Sequence, residues 1–368
     1  MTSFYERLYS RESQELFEPM VPAITEISSL VAGEIKRLFS DDRYAGSRKL
    51  KLLWSSSNKF EASAGVDPSN EDHHSIHISY GAVIAMYKDA FLLPQMCTRH
   101  LIEEKYTELF NLLDYGQGRD HVLPSDLSPE SAKLSLFELS VAWLYLHEQG
   151  HLFQSHGAVY SRIEKDDSLN FSCAWNSSDP ENNEKHSLSG RKAWIKHAFE
   201  LSADYEATNL IIQYLMYKNQ GIVKLTSIWL LISALTCIFH KFHGSSRPYH
   251  SGAALGTHPD PALRMRSMYI GIIQTLEHPN LLPHLQANKT IEDYKRVMEH
   301  AYNSANIYIK IAHFDDNTFP EFMTRFIDKS DSDKEYFKGI KDIWKELRPK
   351  VLETYFGYGE GSIMPDFS

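Results

Sequence analysis

Residues Leu144–Leu152 read LYLHEQGHL and contain the pattern His-Glu-x-x-His, with His147, Glu148 and His151 in the named positions. On a helix, residues four apart are offset by only ~40° about the axis, so both imidazoles can reach one ion. Imidazole suits Zn²⁺, and a catalytic zinc site takes three protein ligands plus a water. Glu148, next to the first histidine, is placed to take a proton from that water. The stretch Phe137–Leu146 is mostly apolar, with only Glu138 charged, so His147 is expected on a buried helix. There, an ionisable group needs a partner.

A third ligand has to come from elsewhere in the chain. Forty-nine residues after His151, Glu200 opens the segment ELSADYEA. Glu200 and Asp204 are four apart on a second helix, and a carboxylate from a separate helix completes a His₂Glu site. Asp204 can accept the free ring N–H of a ligand histidine, which fixes its tautomer. Glu206 competes with these two for either role. Ala203 and Ala207 are small and allow two helices to approach closely. Further on, THPDPALRM (Thr257–Met265) reads by itself as a helix start, with Thr257 as cap and Pro259 in the first turn.

The elements that must carry these residues are mostly helical. Metal-bearing helices are expected over residues 134–156 and 192–217, with the THP segment at 257–266. Ser128-Pro129-Glu130 is a strong helix start. Other helices are expected from about Glu15 to Phe39, from Ala82 to Glu103 with a kink or split at Pro94, and from Ile222 to Phe242. Lys49–Ser55 and Ser75–Tyr80 read as strands, Ile76 and Ile78 alternating with His77 and Ser79. Residues 161–190 and 243–257 are polar loops that can act as a lid or bind an activator. His243 and His250 read as loop histidines. Residues 279–355 are again mostly helical. The expected fold class is α+β, mostly α-helical. A domain over residues 1–278 carries a small N-terminal sheet, and residues 279–368 form a helical C-terminal extension.

Composition bounds the function. A formal net charge of -10 argues against nucleic acid and anionic membrane surfaces as partners. Three widely spaced cysteines make neither a disulfide scaffold nor a cysteine zinc site. The apolar run Leu225–Phe239 would span ~22 Å as a helix, short of the ~30 Å hydrocarbon core. The start of the sequence lacks a basic, then apolar, leader pattern, so the expected location is the cytoplasm, with no membrane association.

In order, HExxH, ExxADxxA and THPxxxxR[M/I] resemble the gluzincin peptidases of the HtpX and CAAX-prenyl-protease type. They are most similar to the soluble phage-exclusion Lit peptidases. The resemblance spans roughly Ser75 to Ile270 and implies a zincin-like core. It implies a zinc endopeptidase with His147, His151 and Glu200 as ligands, Glu148 as base and Asp204 in support. It also places His258 and Arg264 near the substrate carbonyl or bracing the site, two roles that sequence leaves open for Arg264. In such sites an extended protein or peptide substrate lies beside an edge strand. That role is assigned to Ser75–Tyr80, with Ile76, His77 and Ile78 as substrate-binding residues. A phage-triggered role in abortive infection follows as an expectation, with an activating or inhibitory protein partner. The rival expectations are a peptidase that cleaves a regulator or antitoxin, and a catalytically silent zinc-stabilised binding module.

Overall fold

A computed structural model describes residues 20–99, 122–164, 188–243, 252–312, 330–359, 361 and 363–365. Helix α1 (Val21–Phe39) precedes strands β1 (Lys49–Ser55), β2 (Ala62–Asp67) and β3 (Asn70–Ser79). Then come α2 (Tyr80–Arg99), α3 (Pro129–Phe153), α4 (His156–Glu164), α5 (Gly190–Lys218) and α6 (Leu225–His243). The described chain continues with α7 (Pro261–Glu277), α8 (Ile291–Ala312) and α9 (Asp331–Thr354). The architecture is mostly helical with one small mixed sheet, consistent with an α+β class.

The sheet order is β1-β3-β2, with β1 parallel and β2 antiparallel to β3. This corrects the placement of Ser75–Tyr80 at an edge: β3 is the central strand and its hydrogen-bonding groups are taken up on both sides. Ile76 and Ile78 are wholly buried in the core. The edge strand beside α3 is β2, whose Ala-Ser-Ala-Gly composition is poor in β-formers and gives little strand signal in sequence. Pro68 and Ser69 turn β2 back into β3, and Asp67 Oδ1 accepts the Ser69 N–H at 2.9 Å.

Helix α3 is the hub. Every residue from Phe137 to Phe153 except Glu138 is buried, because α1, α2, α5, α6 and β2 pack around it. Its start is fixed by Ser128, whose hydroxyl accepts the Ser131 N–H while Ser131 returns the favour to the Ser128 N–H, with Pro129 in the first turn. Pro94 lies within α2 without ending it. Helix α6 is long and apolar enough to cross a membrane by length and composition. Yet 83% of that window, Leu225–Phe242, is buried, packed against α8, α3 and α7.

The segments after residue 279 complete apolar cores begun upstream. Tyr294, Met298 and Tyr308 of α8 join the main core. Tyr336, Trp344 and Leu347 of α9 join a second cluster with Phe199 of α5 and Val159 of α4. Of the two polar loops, residues 165–187 and 244–251 lie outside the described residues, as do His250 and Cys173. Cys97 and Cys237 are buried and free.

Candidate metal centre

Helices α3 and α5 cross where neither carries bulk. A β-carbon at Gly150 would stand 3.3 Å from the Ala203 Cα and from its carbonyl oxygen. This close approach sets His147 and His151 opposite Glu200. The ligand atoms of these three buried residues all lie within 4.8 Å of one another. His147 Nε2 is 3.2 Å from His151 Nε2. Glu200 Oε2 is 3.6 Å from His147 Nε2, and its Oε1 is 3.4 Å from His151 Nε2. Ligands held at ~2.1 Å in a tetrahedron stand ~3.4 Å apart, so the donor set fits one small ion of zinc's coordination habit.

Charge points the same way. Glu148, Glu200, Asp204 and Arg264 are each at most 2% exposed. With every carboxylate ionised, these four groups carry an excess of negative charge in a dry interior, which is costly unless a cation or protons balance it. Among the described residues Glu148 has no side-chain hydrogen-bond partner, and the Ala64 backbone of β2 approaches it. Burial, the largest influence, pushes Glu148 up to about 8 against the pull of His147. Burial would lower His147, but the carboxylates of Asp204 and Glu200 outweigh it and raise the ring to about 9. Glu200 is held well below the usual carboxylate range: His258 and His151 overcome the burial that would raise it.

The supporting residues come from α5 and α7. His147 Nδ1 stands 2.9 Å from Asp204 Oδ1. Arg264 grips Asp204 with two parallel bonds, Nε to Oδ2 at 2.7 Å and Nη2 to Oδ1 at 2.6 Å. Its Nη1 is 3.3 Å from Glu200 Oε2. Fully buried over the Phe239 and Phe242 rings, the guanidinium braces the two carboxylates. Of its two open roles, these contacts are those of bracing.

His258 Nε2 is 3.6 Å from Glu200 Oε1, and its Nδ1 is 2.7 Å from the Thr257 hydroxyl. Thr257 is therefore not the cap of α7. That helix starts two residues later than its expected first-turn proline, at Pro261, because the Asp260 carboxylate accepts the Ala262 N–H at 2.8 Å.

The structure thus brings together His147, Glu148, His151, Glu200, Asp204, His258 and Arg264. It leaves Ile76, His77 and Ile78 in the middle strand of the sheet, where the His77 ring meets the Ser75 hydroxyl at 3.1 Å. A cleft of about 470 Å³ reaches His151 instead, lined also by Ala64 and Gly65 of β2 and by Tyr355 and Phe356.

Sequence reasoning missed His156, whose Nδ1 is 2.8 Å from His151 Nδ1. On a continuous helix a residue five positions on would point ~140° away. Ser155, at φ 51°, breaks the helix and swings His156 back. The histidine count of HEQGHLFQSH was a signal, but the break that makes it useful is not local in type. Glu206, the competitor of Glu200 and Asp204, is engaged elsewhere, with Gln154 and Tyr355.

Compared with protein-family models, curated proteins and solved structures, the chain matches none of them. What stands from the geometry is a buried His147/His151/Glu200 group able to hold a metal ion.

Proposed function

We propose that this protein is a zinc-dependent endopeptidase. The observation that carries the reading is Glu148: a fully buried carboxylate next in sequence to the ligand candidate His147, approached by the Ala64 backbone of β2. A purely structural metal site has no use for such a group, whereas hydrolysis needs a base there.

His147, His151 and Glu200 would hold a zinc ion, which would supply Lewis acidity toward water and the scissile carbonyl. Glu148 accepts the proton of the attacking water on a carboxylate oxygen and delivers it to the leaving amine. A Thr257 hydroxyl donating to His258 Nδ1 leaves the ring proton on Nε2, on the Glu200 side, where it can donate to the developing oxyanion. Asp204 and Arg264 hold His147 and Glu200 in place.

The substrate strand in this reading is β2 rather than β3. Ala64 and Gly65 line the same cleft as His151, and among the described residues β2 has a sheet partner on one side only. An extended peptide can add beside it. Support for an abortive-infection role is the order of the three motifs, which resembles that of phage-exclusion peptidases.

The test is to express wild type and Glu148→Gln in matched cells, with and without phage challenge, and to map new protein termini by mass spectrometry. New termini confined to wild type are expected. Identical termini in both proteins under every condition would sink the peptidase reading.

A further inference from the structure

His151 turns Nε2 toward Glu200 and His147, which leaves Nδ1 facing the other way. There it meets His156 Nδ1 at 2.8 Å. His156 is fully buried and stacked on Phe199, ring centroids 4.3 Å apart. Its Nε2 reaches Gln154 Oε1 at 3.0 Å. The Ser202 hydroxyl donates to the same oxygen, and Gln154 Nε2 donates to Glu206 Oε2 at 2.8 Å and to the Ser202 carbonyl at 3.2 Å. Glu206 Oε1 accepts from the Tyr355 hydroxyl at 2.8 Å.

The orientation of Gln154 is determined by these contacts. Flipping its amide would set its oxygen against the Ser202 carbonyl, an acceptor whatever the protonation of Glu206. The amide nitrogen therefore faces Glu206 and the oxygen faces His156. His156 must then donate from Nε2, which makes its Nδ1 an acceptor. That acceptor matches only a His151 whose proton is on Nδ1, the tautomer that offers Nε2 to a metal.

The far end of this chain is anchored to the outside of the cleft. The Phe356 N–H donates to the Phe153 carbonyl at 3.1 Å, and the Ser155 hydroxyl donates to the Thr354 carbonyl at 3.2 Å. The Tyr358 N–H donates to the Tyr355 hydroxyl at 3.0 Å. Residues 353–356 line the cleft that reaches His151.

We propose that His156, Gln154 and Glu206, the last also accepting from Tyr355, form a hydrogen-bond chain that fixes the tautomer and ring plane of His151. The segment after α9 is thereby a working part of the metal centre. His156 is a positioning residue: it acts through His151. The proposal rests on the reading of His147, His151 and Glu200 as metal ligands.

The test uses the full chain, stripped of metal and titrated with Zn²⁺ against a competing chelator, and with Co²⁺ followed by its visible absorption. His156→Phe keeps the ring stacked on Phe199 and removes both nitrogens. His156→Asn keeps an acceptor near the Nδ1 position. Tyr355→Phe removes only the outermost donor. Circular dichroism of the metal-free proteins confirms the fold. His156→Phe is expected to weaken zinc binding by roughly 10–100-fold and to shift the Co²⁺ spectrum. His156→Asn should restore most of that loss, and Tyr355→Phe should show a smaller loss in the same direction. A folded His156→Phe with wild-type affinity and spectrum would overturn the chain while leaving the three ligands intact. Should His156→Phe fail to fold, wild-type affinity and spectrum in Tyr355→Phe would overturn it equally. Wild type that takes up neither metal would overturn the ligand reading itself.

Discussion

Gly150 and Ala203 face each other across the crossing of α3 and α5, so close that a β-carbon on the glycine would lie 3.3 Å from the alanine Cα. The contact falls between His147 and His151 on one helix and beside Glu200 and Asp204 on the other. Helix separation here sets the ligand distances. Gly150→Val is expected to force the helices apart, at about 1–3 kcal/mol from overpacking. It should lose metal binding out of proportion to that cost. Gly150→Ala, with a helix-propensity gain of ~1 kcal/mol to offset the crowding, should fold near wild type and bind metal less tightly. Thermal melts with and without zinc check both; an unchanged zinc-induced shift in Gly150→Val would count against the role given to this contact.

Asp204 and Arg264 form a fully buried, two-bond ion pair. Removing one partner leaves the other charged and dry. Asp204→Asn is therefore expected to cost about 3–5 kcal/mol in denaturant unfolding. Arg264→Lys should also destabilise, because an ammonium cannot reproduce the fork. Combining Asp204→Asn with Arg264→Met should recover part of the loss, since neither member of this pair is then left facing a missing partner, although Glu200 loses its contact with Arg264. A strictly additive double variant would argue against the pair as described.

Below about 9, His147 carries a proton in the metal-free chain, because Asp204 and Glu200 outweigh the effect of its burial. Zinc needs the neutral ring. Apparent zinc affinity should therefore fall as pH drops, by roughly tenfold per unit for one linked proton, and uptake near neutral pH should release about one proton from this ring. Calorimetry in buffers of different ionisation enthalpy reads the number released. Uptake with no proton release would contradict the His147 assignment.

Glu148 has a raised folded value, from 4.5 to about 8, chiefly through burial. For a carboxyl the sign is as follows: the neutral form is favoured in the folded chain. Its contribution is thus fullest below 4.5 and is lost as pH rises toward about 8. Metal-free Glu148→Gln should lose less stability than wild type over that window while binding zinc normally. Parallel stability curves for the two proteins would show that Glu148 is not buried as a neutral acid.

Several parts of this centre could be read from the chain, and the reasons differ. The His147/His151 spacing is a property of a single helical turn, and Ser128-Pro129 announces where that helix begins. Glu200 and Asp204 were legible by type and by their own four-residue spacing. What escaped depends on contacts between elements. The alternation of Ile76 and Ile78 identifies a strand but says nothing of its rank in the sheet, which β2, weakly patterned, decides. Arg264 shows its role only against Asp204. His156 becomes a neighbour of His151 only because Ser155 takes a left-handed conformation.

The central claim is that His147, His151 and Glu200 hold one zinc ion. It is tested most directly by the metal content of the full chain after zinc loading and desalting, measured by elemental mass spectrometry for wild type, His151→Asn and Glu200→Gln. The account predicts about one equivalent of zinc in wild type and a marked loss in both variants. Wild type without zinc, or variants that retain as much as wild type, would contradict it.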